Sequence, residues 1–75
     1  MKQEEFLTEL EDILQREDSC KVEDNIEDYD EWDSLSKMAL MAFYDKQFGI
    51  KISLSQLSEL KTVSDLIELA GENIQ

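Results

Sequence analysis

The chain has 75 residues, a formal net charge of -12, two Gly, no Pro and a 41% hydrophobic share. That length is one domain with a small core, and the apolar content excludes a wholly disordered polyelectrolyte. The charge opposes binding to nucleic acid or to an anionic membrane, which need basic groups, and suits encounter with basic partners.

Phe6, Leu7, Leu10, Ile13 and Leu14 fall on one side of a helical wheel, so the first helix is expected over about residues 2–16. Glu4 and Glu5 lie where they complement the positive end of that helix. From Glu17 to Asp33 neither a 3.6-residue nor a 2-residue period persists, and Val22, Ile26, Tyr29 and Trp32 stand as spaced apolar anchors among acids. This is a long loop pinned to the rest of the chain, and loops of this length in small domains are often functional. Residues 1–33 carry 14 Asp or Glu against 3 Lys or Arg, a balance of -11, whereas residues 34–75 carry 5 against 4. The acids of the loop do not form a calcium-binding EF-hand. A frame starting at Asp24 puts Tyr29 and Leu35 where Gly and Glu are required, and one starting at Asp28 puts Asp33 and Ala39 there. No metal site is expected.

Cys20 is the only cysteine, which rules out an internal disulfide and makes an intracellular setting the default. Its acidic neighbours Asp18, Glu23 and Asp24 disfavour a reactive thiolate. The start Met1-Lys2-Gln3-Glu4-Glu5 lacks the apolar core of a signal peptide, and a cytoplasmic protein is expected.

The second helix is expected from Ser34 to Phe48, capped by Asp33 or Ser34 and ended by Gly49 in a left-handed conformation. Met38, Leu40, Met41, Tyr44 and Phe48 cluster on its broad apolar side, and Ser36, Ala39, Phe43 and Lys46 fall on the other. That second side is either covered by a neighbour or an apolar contact surface. Met38 and Met41 are candidates to line an adaptable apolar pocket, or simply core. Ile50 and Ile52 anchor a connection, Ser53-Leu54-Ser55-Gln56 is a capping box for a short third helix over about 54–60, and Thr62 to Asp65 is a looser cap for a fourth. Val63, Leu66, Ile67, Ala70 and Ile74 mark the buried face of that last helix, with Gly71 weakening its end. The expected fold is all-α, a four-helix bundle forming a single domain over 1–75.

The stretch that organises the chain is Glu31-Trp32-Asp33-Ser34-Leu35, where the acidic loop runs into the most apolar segment. A serine at the start of a helix with a free hydroxyl is a place to attach a charged group. Asp33-Ser34-Leu35 at this loop-to-helix junction, with Leu40, Phe48, Ile52, Thr62 and Val63 at matching spacing, resembles the acyl carrier proteins. The resemblance extends over nearly the whole chain and is sharpest from Asp33 to about Leu69. It implies an acyl-carrier-type bundle in which Ser34 receives 4'-phosphopantetheine from coenzyme A, delivered by a separate phosphopantetheinyl transferase with Mg²⁺. The arm then holds acyl groups as thioesters. It further implies that Asp33 positions serine and metal during transfer, and that Leu35, as the first buried residue of the second helix, orients the hydroxyl. The chain would act as a carrier and not an enzyme, since it has no His and Asp33 is too weak a base to activate Ser34 for hydrolysis.

The family commonly has Gly where Glu31 stands, and its fatty-acid members have Glu where Ala39 stands. The Trp-Asp-Ser-Leu form looks like the stand-alone carriers of specialised pathways. Partners implied are the transferase and acyl-loading and acyl-transfer enzymes, met through Glu31, Trp32, Ala39 and Phe43 by a monomer. An aminoacyl or peptidyl carrier on the same scaffold, and a small acidic interaction module in which Ser34 only caps a helix, are the competing readings.

Overall fold

The computed structural model of the chain describes residues 1–75 and is all helical, as the periodicities predict. Its helices are α1 (Gln3–Leu14), α2 (Ser34–Phe48), α3 (Leu54–Glu59) and α4 (Val63–Ala70), with 3₁₀ turns at Ile26–Asp28 and Gly71–Asn73. Fourteen buried side chains form one core, drawn from every α-helix and from the loops between them.

Phe6, Leu10 and Leu14 bury the α1 stripe, and α2 packs against both α1 and α3. α1 stops at Leu14, the last residue of its apolar stripe, short of the expected residue 16. Gln15 turns into the left-handed region at φ 57°, ψ 41°, and its N–H bonds back to the Asp12 carbonyl. α2 starts on Asp33, whose carboxylate accepts the Ser36 N–H at 2.9 Å, and stops at Gly49, where φ is 69° and the N–H returns to the Asp45 carbonyl. The capping box of α3 forms as its sequence requires, with the Ser53 hydroxyl accepting from Gln56 N–H and the Gln56 side chain accepting from Ser53 N–H. Thr62 and Asp65 build the same device on α4.

The 17–33 segment is not a free loop. Ile26 and Tyr29 are core residues, and Val22 and Trp32 are half-buried. Its backbone is stitched to the start of α4: Ile26 N–H donates to the Lys61 carbonyl, Val63 N–H to Asp24 and Ser64 N–H to Val22, around an antiparallel bridge between Asn25 and Thr62. Cys20 also enters the core, and burial pushes its thiol above the ordinary range. Tyr44, fully buried in the middle of α2, donates its hydroxyl to the Leu66 carbonyl and so ties α2 to α4.

Three residues of α2 depart from expectation. Leu35 is 74% exposed and is not the first buried residue of the helix. The buried side is set by Leu40 and Tyr44, and Leu35, five residues before Leu40, lies about 140° away round the helix. Met38 is likewise 51% exposed, at the edge of the buried side. Phe43, placed by the wheel on the opposite side, instead turns partly inward, with its ring 6.4 Å from Phe6, 6.2 Å from Tyr44 and 5.7 Å from Phe48.

Candidate functional site

The junction between loop and α2 is built by three local interactions. Trp32 N–H donates to the Tyr29 carbonyl, Ser36 hydroxyl donates to the Glu31 carbonyl, and Asp33 caps the helix. Together they fix the backbone on both sides of Ser34. The cap has a consequence for chemistry. Because Asp33 is the N-cap, Ser34 occupies the first helical position and its exposed hydroxyl is not the capping group. The N–H groups that Asp33 accepts hold its carboxyl below the usual aspartate range, so it is ionised at neutral pH.

The surroundings of Ser34 fit a phosphodiester. The first turn of α2 contains no acidic residue, and it carries the positive dipole end of a fifteen-residue helix. Glu31, the nearest acid upstream besides the cap, is neutralised by Arg16 at 2.9 Å. The Arg16 guanidinium also lies 3.8 Å from the centre of the Tyr29 ring, and Tyr29 donates its hydroxyl to Asp24 at 2.7 Å. This chain of contacts clips the end of the acidic loop to the end of α1.

Beside Ser34 is an open cleft of about 480 Å³ between the end of α1 and the start of α2. Ile13 and Leu14 line it from α1 and Gln15 from just past its end, Leu35, Ser36 and Ala39 from α2, and Glu31 and Asp33 complete it. A second cleft, of about 440 Å³, starts at Met38 and runs past Met41 and Ala42 to Ile52. No three His, Cys, Asp or Glu side chains converge to hold a metal ion.

A model of the phosphopantetheine attachment site family matches residues 4–70. The chain belongs to that family. Comparison with curated proteins and with solved structures gives no match. As a member of the attachment-site family the chain is a carrier of covalently bound 4'-phosphopantetheine, and such carriers work with transferases and biosynthetic enzymes. The matched segment includes both helices that flank the Ser34 cleft.

The residues singled out in the sequence are only partly brought together. Glu31, Asp33, Leu35 and Ala39 share the cleft. Phe43 stands apart from it in an aromatic group with Phe6, Tyr44 and Phe48. Trp32 is half-buried, with the Lys37 ammonium 5.5 Å from its ring centre. Arg16 and Gln15 were missed. A lone arginine among fourteen acids was a signal for Arg16; nothing in the sequence marks Gln15 as the residue that would take a left-handed conformation.

Proposed function

We propose that the chain is an acyl carrier protein in which Ser34 bears the phosphopantetheine arm, and that residues 1–75 act as one carrier domain for a specialised biosynthetic pathway. The observation that carries this reading is the division of labour at the start of α2. Asp33 satisfies the helix end, which leaves the adjacent serine hydroxyl exposed and uncommitted. In a chain of this family, that serine is the residue best placed to accept the group.

In the proposed transfer, Ser34 Oγ forms a bond to the β-phosphorus of coenzyme A and the bond from that phosphorus to the nucleotide part breaks. The serine proton passes to a base of the transferase, since the chain has no His to receive it. Asp33 keeps one oxygen on the Ser36 N–H and offers the rest of its negative charge to the transferase's Mg²⁺. The positive dipole end of α2 then favours the phosphodiester formed. When bound, the arm supplies a thiol that holds acyl groups as thioesters. Leu35, exposed beside the serine, contributes an apolar contact for the transferase and not a core anchor.

The steep charge asymmetry supports encounter with basic enzyme surfaces, with the acids before Ser34 steering the approach. No helix is long and apolar enough to cross a membrane, and a cytoplasmic setting is part of the proposal.

The test is intact-mass measurement after incubation with coenzyme A, Mg²⁺ and a broad-specificity transferase. Wild type should gain one phosphopantetheine, Ser36→Ala should also gain one, and Ser34→Ala should gain none while staying folded, because the Asp33 cap is untouched. Modification of Ser34→Ala, or none of wild type with several transferases, would overturn the assignment. Loading of the resulting thiol by acyl-activating or by amino-acid-activating enzymes separates the acyl from the aminoacyl carrier.

A further inference from the structure

We propose that Ser36 is a positioning residue for the modification of Ser34, and that its two hydrogen bonds hold Ser34 and Asp33 in one mutual geometry. The inference rests on the assignment of the arm to Ser34 and deepens it.

Packing does little to hold this segment. Asp33, Ser34 and Leu35 are all exposed, and the first buried residue of α2 is Leu40. The geometry of the first helical turn therefore depends on hydrogen bonds. An exposed helix start frays readily when such bonds are few. For a serine that another enzyme must reach, fraying spreads the hydroxyl over many orientations.

Ser36 is the first half-buried residue of the helix, and it is bound through both backbone and side chain. Its N–H donates to Asp33 Oδ1 at 2.9 Å, and its hydroxyl donates to the Glu31 carbonyl. The same carbonyl accepts the Asp33 N–H at 3.0 Å. Glu31, Asp33 and Ser36 are thus joined pairwise, and Ser34 and Leu35 lie within the stretch so closed. Glu31 is also anchored from outside this stretch, through its carboxylate to Arg16 at 2.9 Å. A path of contacts runs from Arg16, just past the end of α1, to the flanks of Ser34.

The two bonds of Ser36 have separable roles. The N–H bond is the ordinary helix cap, which any residue but proline would form at this position. The hydroxyl bond requires a side chain with an O–H donor, and it satisfies a loop carbonyl and no helix N–H. The cap is complete without it. What the hydroxyl adds is a tie between α2 and the backbone that carries Asp33. Carboxylate and serine hydroxyl then keep their spacing when the transferase brings its metal. Displacements of about 1 Å at a reacting group cost on the order of a hundredfold in rate, and a single lost tie should cost less.

The experiment measures initial rates of phosphopantetheine transfer from coenzyme A, with Mg²⁺ and a broad-specificity transferase, as the concentration of apo protein is varied. All rates are taken well below the melting temperature of every variant. Ser36→Ala keeps the N–H and the cap and removes only the hydroxyl. Given time it still takes up one group, but its kcat should fall about fivefold to tenfold while KM changes by less than about twofold. Ser36→Thr, which keeps an O–H donor, should recover most of the rate. Because Ser36 acts through Asp33, the loss should shrink when Ser36→Ala is made in an Asp33→Asn background. Ser53→Ala, which removes the cap of α3, should lower the melting temperature and leave kcat unchanged. A Ser36→Ala rate equal to wild type, a change confined to KM, an equal loss in Ser53→Ala, no recovery in Ser36→Thr, or a full loss in the Asp33→Asn background would overturn the proposal. Each of these leaves the carrier assignment standing, since wild type is modified at Ser34 in all of them. Failure to modify wild type at Ser34 would overturn both.

Discussion

Arg16 and Glu31 meet at 2.9 Å, and the pair spans from just past the end of α1 to three residues before Ser34. Arg16 is the only arginine in the chain, its side chain is 13% exposed, and the same guanidinium stacks on Tyr29. The interaction therefore holds the last turn of the acidic loop against the bundle. It also removes Glu31 from the set of free surface charges that a partner would meet, although its backbone carbonyl and carboxylate help shape the ground beside Ser34.

Arg16→Met should lower stability by about 1–3 kcal/mol, less than for a fully buried pair because Glu31 remains partly in water. Arg16→Lys should recover little of that, since an ammonium lacks the planar face that stacks on Tyr29. Chemical denaturation of Arg16→Met, Glu31→Gln and the double variant measures the coupling. Coupling near zero would mean that the contact does not hold the loop.

The helices were legible in the sequence because each carries its own signal: a stripe of apolar residues, the Ser53–Gln56 box, Gly49. The candidate site stands out in the sequence because Asp33-Ser34-Leu35 sits at a junction defined by a change of composition. What could not be read was the assignment of side chains that depends on two elements at once. Leu35 looked like a core residue and is exposed, because the direction of the buried face of α2 is set by α1 and α4, through Tyr44 and Leu66. Phe43 falls with Ala39 on the other side of the helical wheel, about 60° from Leu40, and only the position of Phe6 on α1 decides that it turns inward. Gln15 and Arg16 read as the last residues of a helix, whereas one turns the chain and the other clips the loop.

Stability should pass through a maximum at mildly acidic pH. At neutral pH the net charge of -12, with -11 of it before Ser34, produces repulsion that protonation relieves. Against this, hydrogen bonding holds Asp24, Asp33 and Asp65 below the ordinary value of 3.8: Tyr29 hydroxyl to Asp24, Ser36 N–H to Asp33, and Lys61 and Thr62 N–H to Asp65. Groups with a depressed folded pKa stabilise fully above the unfolded value, and that contribution is lost as pH falls through the folded one. Melting temperature should thus rise on going down from neutral pH and then drop below about pH 4. Added salt should raise the neutral arm of the curve and affect the acidic arm less. A melting temperature unchanged by salt at pH 7 would show that the acids are already compensated within the fold.

The two tyrosines should be silent in an alkaline titration. Tyr44 is pushed up by burial, and Tyr29 by burial together with its hydrogen bond to Asp24 and its contact with Cys20. A raised folded pKa means that their contribution is fully present below the unfolded value of about 10 and is lost progressively as pH rises beyond it. Phenolate absorbance should stay low at pH 10 and appear only as the helical signal is lost. Ionisation of either tyrosine near pH 10 in folded protein would place its hydroxyl in water.

Phe43 and Leu35 should exchange the roles that their positions in sequence suggest. Phe43 is half-buried and meets three rings, two of them, Tyr44 and Phe48, nearly edge-on at 6.2 and 5.7 Å. Aromatic pairs of this geometry contribute about 0.5–1.5 kcal/mol beyond their buried area, and a fully buried Phe→Ala change costs about 3–5 kcal/mol. Phe43→Ala should therefore cost about 2 kcal/mol, intermediate between a core and a surface site. Leu35→Ala should change stability by less than about 0.5 kcal/mol, because its side chain leaves water only when something docks beside Ser34. It should instead raise the KM of the transferase for the apo protein, with kcat changed less, as expected for loss of a docking contact. Denaturation curves and transferase kinetics on the two variants separate the roles. A stability loss of 2 kcal/mol or more in Leu35→Ala, alongside none in Phe43→Ala, would mean that α2 is rotated from the orientation in which Leu40 and Tyr44 face the core.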